Sequence, residues 1–523
     1  MKKLILTALA VAMLGTGSAT AQTAAQPSAQ PAAAPYWQQA VRYQIDVDLD
    51  HNQHRLEGTM RLEYTNHSPD VLDEIFMHLY WNAFQPGSMM SNMANIPTQF
   101  KDKAIGTRIQ DLKPHEEGEQ IVRRITHNGR DLAFDVNQTI LHARLDQPIA
   151  PGATHVFELE YTTRIPIVIE RAGRSNKEGI DYSFTQWYPK MCVYDRDGWH
   201  PDLYVAREFY GDFGRFEVNV TADASFVLGG TGVLQNPSEI GHGYSDTPVK
   251  HKKKSRITWR FAADNVHDFA WTADREYRHQ RFTLPTGTEI HYFYQPDEKS
   301  RMMYENDRFR ADIATYFAFM NEHFGPYRWP QFSVIQGGEG AMEYPMCTLM
   351  ESHGDDYLGT FGVVAHEGSH MWFYGMLATD EQRYHWMDEG FTSRIVSRLE
   401  GENFILRVQG GEIGVRDPDL LLDAFFHHDL LLDLGATDLF HVLGVEGAHI
   451  HADGALELAP RPLLPVRLGC AQRTGLVPAL RVLGLEVRVG VGRQAAAHME
   501  LGLAVGGADG ELVQGDAAVG DLL

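Results

Sequence analysis

His366 and His370 lie four residues apart, and Glu367 follows the first of them directly. On a helix, positions i and i+4 project from one face, a turn apart. Two imidazoles so placed can share one zinc ion. Glu367 is then placed to hold a water rather than the metal. Positions 371–388 separate His370 from Glu389. That is enough chain to finish the helix, turn, and bring a carboxylate back from a second helix. Two histidines and a glutamate leave a fourth zinc position open for water, as a catalytic site requires. With 25 histidines in the chain, the short pattern alone can arise by chance. The third ligand at a workable spacing and the apolar setting argue against chance here.

These residues need elements to hold them. From 306 to 324, Phe309, Ile313, Phe317 and Met320 recur at helical spacing. Gly325-Pro326 ends that helix. Phe332 to Ile335 reads as a short strand leading into Gly337-Gly338-Glu339-Gly340-Ala341-Met342-Glu343-Tyr344-Pro345. The helix of His366 and His370 follows, then the helix of Glu389. Helix, strand edge, zinc helix and ligand helix are the order of a thermolysin-like catalytic domain. Upstream, alternation of period two dominates. Tyr43, Ile45, Val47 and Leu49 face one way, and Leu56, Gly58, Met60, Leu62 and Tyr64 follow a polar turn, predicting a β-hairpin. Similar runs at 157–161, 216–220 and 257–261 make residues 37–270 mostly antiparallel β. The expected fold class is therefore α+β multidomain. An N-terminal antiparallel β domain (37–270) precedes a thermolysin-like zincin catalytic domain (271–400), itself incomplete, and an atypical tail (401–523).

At 523 residues, two to four domains are expected. The formal charge of −23 argues against nucleic acid as a partner, since phosphate neutralisation needs a basic face. The basic run at 250–256, with four lysines, reads as a solvated hairpin loop. The first 21 residues read as a signal peptide. Lys2-Lys3 is charged, 4–14 is apolar, and Ala19-Thr20-Ala21 is a cleavage site. Residues 22–36, rich in Ala, Pro and Gln, read as a linker. The apolar run is too short to span a bilayer, and no later run is long enough. Export to the periplasm or beyond is expected. Three cysteines, Cys192, Cys347 and Cys470, do not make a disulfide framework, and leave room for one bridge at most.

Together these motifs carry a resemblance. His-Glu-x-x-His followed by Glu389 within Trp386-Met387-Asp388-Glu389-Gly390-Phe391 resembles the aminopeptidase N family of gluzincins, which includes leukotriene hydrolase. Gly340-Ala341-Met342-Glu343 looks like that family's G-x-M-E-N exopeptidase signature. Gln186-Trp187-Tyr188-Pro189 and Gly325-Pro326-Tyr327 look like flanking landmarks, so the resemblance covers about residues 40–393. It implies one zinc ion on His366, His370 and Glu389, with Glu367 as general base. It further implies that Glu343 takes a peptide's free α-ammonium, that backbone at Gly340 and Ala341 lies along the substrate, and that Gln186 assists. There are departures. Tyr344 stands where the signature ends in Asn, and Tyr188 stands where a second amine anchor is usual. For Asp388, a helix N-terminal charge and a role behind the zinc ligands are equally good readings.

The tail differs from the rest. The last tyrosine is Tyr384, and beyond about Ser393 the text turns into Leu, Gly, Ala, Val, Arg, Asp and His. The family's oxyanion donor is a tyrosine beyond the glutamate ligand, and none occurs there. One reading is that the chain leaves its original reading frame between about Arg394 and Gly410; the other is a divergent C-terminal domain. The expected function is zinc-dependent removal of N-terminal residues from peptides. The alternatives are a zinc endopeptidase and a catalytically impaired peptide-binding product. No oligomeric state follows from the sequence.

Overall fold

The computed structural model describes residues 36–93, 103–205, 209–337, 340–351 and 357–401, with five strands beyond. The expected signal peptide, nearly all of the expected linker, and most of the tail lie outside the described residues. The chain divides at Trp37/Gln38, and every described strand and helix belongs to the unit from Gln38 onward.

The upstream half is β-rich, and the helices come later. Its main sheet has eight strands. The long ones are β1 (Ala40–Asp50), β2 (Arg55–Thr65), β3 (Glu119–His127), β4 (Thr154–Arg164), β5 (Gly214–Asp223) and β6 (Arg256–Val266), in the order β6-β5-β1-β2-β4-β3. The β1–β2 hairpin pairs Tyr43 with Leu62 and Ile45 with Met60. Every second residue of β1 from Val41 to Leu49 is buried, as the alternation predicts. One pairing departs from the antiparallel expectation: β1 runs parallel to β5, Val41 opposite Gly214. Hairpin alternation fixes which face a strand buries, but not which distant strand lies on its far side. The basic run forms an exposed turn entering β6.

A helix α1 (Lys103–Gln110) lies on the β-rich side of the chain sequence. Downstream, a five-stranded sheet comprises β7 (Arg278–Thr283), β8 (Glu289–Tyr294), β9 (Gln331–Gln336), β10 (Met342–Tyr344) and β11 (Cys347–Met350), ordered β7-β8-β9-β11-β10. β10 is therefore an outer strand. The long helix α2 (Asp307–Phe324) is capped by the Asn306 side chain, which accepts from Arg308 N. Its apolar stripe, Phe309, Ile313, Phe317 and Met320, is buried. Then come α3 (Tyr357–Ser369), α4 (Glu381–Tyr384) and α5 (Glu389–Gly401).

The two regions share polar contacts where the sheet edge approaches. Ser183 Oγ donates to the Gly337 carbonyl at 2.7 Å, and Thr231 Oγ1 to that of Pro345 at 2.8 Å. Such bonds fix the stretch leading into and out of β10 against the upstream half.

Candidate metal centre

α3 carries His366 and Glu367 and ends at Ser369, and a 3-10 turn (His370–Trp372) continues it. The expected single helix thus tightens at the second histidine. The two rings still converge, with Nε2 atoms 3.2 Å apart. Tyr316 of α2 contacts Ser369 Oγ at 3.0 Å, and Ser369 Oγ donates to the Ala365 carbonyl at 2.7 Å, fastening this turn to the long helix. Past the turn, Trp372 Nε1 donates to the Gly325 carbonyl at 2.7 Å.

Glu389 opens α5 and comes back to the same point. Its Oε2 lies 3.3 Å from His366 Nε2 and 3.8 Å from His370 Nε2. Ligand atoms around a tetrahedral zinc at ~2.0–2.2 Å stand roughly 3.3 Å apart. The three atoms therefore suit one zinc ion without rearrangement, and they form a group that could hold a metal. The His366 and Glu389 side chains are 27% and 34% exposed, whereas that of His370 is fully buried. One side of the group is thus open to an incoming ligand.

Behind His370 stands Asp388, its Oδ2 2.8 Å from Nδ1. Thr392 Oγ1 approaches the same nitrogen at 3.3 Å. Asp388 also accepts from Tyr374 N at 3.2 Å. Asp388 thus stands beside the His370 ring and also directly precedes α5. Burial disfavours an imidazolium at His370, but the carboxylates of Asp388, Glu343 and Glu389 outweigh it and raise its pKa well above the usual value. Burial works against ionised Glu389 as well. The charge of His370, a hydrogen bond from His366 and the charge of Arg171 prevail and bring it to about 2.

Glu367 is buried, and burial pushes its carboxyl up. Its oxygens share a hydrogen bond with Glu343 of β10, and Glu343, Glu367 and His370 form a second close group. Glu343 is 2% exposed, with Oε1 3.9 Å from His370 Nδ1. Sequence reading did not single out Glu381. It is fully buried at the start of α4 and meets Glu343 and Asp388. Nothing in a polar Glu-Gln-Arg-Tyr run signals such burial.

Gln186 is placed differently from the expectation. Its Oε1 accepts from Tyr344 Oη at 3.0 Å, and its Nε2 reaches Asp268 at 3.4 Å. Tyr188 likewise donates to Asp268, at 3.0 Å, beside the buried Lys190–Asp268 ion pair at 2.9 Å. Gln186 and the two tyrosines are thus committed to a buried polar hub. Gly340 and Ala341 line a cavity of about 440 Å³, and none of His366, His370 and Glu389 lines it.

No protein-family model matches the chain, and no curated protein matches it. Among solved structures, it is similar to an M1 zinc metallopeptidase from Deinococcus radiodurans. The identity is 16%, the TM-score 0.48, and the match covers 76% of this chain and 74% of that one. A mutant of that metallopeptidase bound to a Tyr-Ser-Ala substrate gives 14% identity and a TM-score of 0.44, over 79% and 76% of the two chains. Likenesses of this size leave function to be argued from the chain's own residues.

Proposed function

We propose that the chain is a zinc aminopeptidase, acting after export on peptides with a free N-terminus. One observation carries the reading. The donor atoms of His366, His370 and Glu389 converge at 3.2–3.8 Å beside a buried pair of carboxyls, Glu367 and Glu343. His366, His370 and Glu389 would hold the zinc, which would supply a Lewis acid for the scissile carbonyl and a more acidic water. Glu367 accepts that water's proton and returns it to the leaving amine. Asp388 keeps the His370 ring in position.

Glu343 supplies the exopeptidase preference. Buried carboxylates crowded together need a positive charge among them. A substrate's α-ammonium brings one, and an acetylated or internal amide does not. β10, which carries Glu343, is the last strand of its sheet, and Met342, Glu343 and Tyr344 are all buried.

The test pairs zinc content with hydrolysis of free and N-acetylated peptides. The expected result is one zinc per chain and cleavage of the free peptide alone. Glu367→Gln should keep the zinc and lose ~10²–10⁴ in rate. Equal cleavage of both peptides would point to an endopeptidase. Stoichiometric zinc with no hydrolysis would point to an impaired product of the altered tail.

A further inference from the structure

Glu343 and Tyr344 are neighbours on β10, so their side chains leave opposite faces of the strand. Glu343 is on the metal side, where it meets Glu367 and His370. Tyr344 enters the buried polar hub and donates to Gln186 Oε1 at 3.0 Å. Both residues are buried. Gln186 sits in left-handed backbone, φ 51°, and its Nε2 donates onward to Asp268 Oδ2 at 3.4 Å. Asp268 also accepts from Lys190 Nζ at 2.9 Å, Tyr188 Oη at 3.0 Å and Phe269 N at 2.7 Å. A buried carboxylate with its partners supplied in this way is a rigid support for what hangs from it.

The turn after β10 is fastened to the same place. Tyr344 pairs with Cys347 of β11, so Pro345 and Met346 alone make the turn. Met346 lies at φ 64°, in a region that glycine normally fills. Such a conformation persists only where its surroundings impose it. Thr231 Oγ1 donates to the Pro345 carbonyl at 2.8 Å and accepts from Ala270 N at 3.1 Å. Ser333 N donates to the Met346 carbonyl at 2.9 Å. Residues 268–270 thus hold the end of β10 by two routes, through Gln186 and through Thr231. The residue before them reaches the ligand side. His267 Nε2 donates to the Tyr374 carbonyl at 3.0 Å. Tyr374 N in turn donates to Asp388, which stands on His370.

One short segment of the upstream half, 267–270, is therefore linked both to the strand of Glu343 and to the support of a zinc ligand. We propose that Tyr344 is a positioning residue: its bond to Gln186 sets where Glu343 stands beside the metal group, and so how well a substrate's α-ammonium is bound. The proposal rests on the aminopeptidase reading above, in which Glu343 takes that amine. Gln186 then serves the amine anchor from behind, without touching substrate. A strand pinned by the residue next to Glu343 cannot roll about its axis, and a misplacement of ~1 Å at a binding group is enough to be felt in the kinetics.

The experiment uses the full chain with zinc and an alanine anilide, whose amine is free. Tyr344→Phe removes one hydroxyl and keeps the ring. KM should rise about tenfold, with most of the loss in KM rather than kcat, because the amine anchor is displaced and the metal group is not. Zinc affinity, read by competition with a chelator, should not change, since Asp388 keeps its place on His370. Gln186→Leu should act in the same way, and the double variant should be no worse than either single one. An unchanged KM, or two effects that add, overturns the proposal. So do losses that fall on kcat and zinc affinity as heavily as on KM, since those mark a general loosening of the fold. The aminopeptidase reading fails differently: the unmutated chain would then cleave an N-acetylated peptide as readily as the free one, and both ideas would fall. A chain that keeps its preference for the free peptide while Tyr344→Phe leaves KM unchanged would sink this proposal alone.

Discussion

At the scale of the residue, the decisive contact is Asp388 on His370 Nδ1, 2.8 Å long. A metal-bound histidine with a carboxylate on its far nitrogen is fixed in orientation and made more basic. Removing that carboxylate leaves the first three ligands intact. Asp388→Ala is therefore expected to weaken zinc affinity ~10–100-fold, read by competition with a chromophoric chelator. An unchanged affinity would show that Thr392, at 3.3 Å, or packing alone orients the ring. That His366, His370 and Glu389 converge was legible in the sequence because a helix turns local spacing into direction. Asp388 was only half legible: its neighbour Glu389 was placed by spacing, but which way each faces depends on the 3-10 turn (His385–Met387) before α5. Arg171 and Glu381 were not legible at all. Their positions come from chain segments remote in sequence, and no local period encodes such meetings.

The elements show a similar division. The alternation in β1 and β2 gave the hairpin, since each side chain's face follows from its own parity. The parallel β1–β5 contact had no local signature, yet it sets the middle of the main sheet. Gly214 permits it. A Cβ at this position would lie 2.0 Å from the Val41 carbonyl oxygen and 2.5 Å from a Val41 methyl. The first of these atoms is backbone in the facing strand and cannot swing aside. The register shift between Gly214 and Arg215 in the β5–β6 pairing falls at the same place. Gly214→Ala must then part the strands or distort the bulge, at a cost of ~1–3 kcal/mol. Urea unfolding should show a lower midpoint with an unchanged slope. A midpoint equal to that of the unmutated chain would mean that β1 and β5 are held less tightly than this contact implies. Gly152, in left-handed backbone with open space around it, gives a comparison in which only backbone preference is tested.

For the whole molecule, the balance of buried charge sets how stability varies with pH. Glu217 and Glu289 are held at about 2 by hydrogen bonds and ion pairs, Glu217 first by Gln44 and Glu289 first by His291. Their stabilisation is present above the unfolded value, ~4.3, and is lost as pH falls towards 2. Asp212 acts in the opposite sense. Its Oδ2 is buried without a hydrogen-bond partner. Burial pushes its carboxyl up to about 8, with Lys190 pulling down and Asp195 adding to the rise. The unfolded value is ~3.9. Between these limits the folded chain holds a proton that the unfolded chain has released. Asp212's own contribution to stability therefore falls as pH rises from about 4 through about 8, because at this group the folded state binds more protons there. Asp212→Asn removes this slope and leaves the losses below pH 4 in place. Variant and unmutated chain should have equal unfolding free energies near pH 4. The variant should become the more stable of the two as pH approaches 8, with a constant gap above. Urea midpoints measured from pH 4 to 9 test this directly. Parallel curves would show that Asp212 ionises in the folded chain as readily as in the unfolded one, through solvent or through the nearby Lys190.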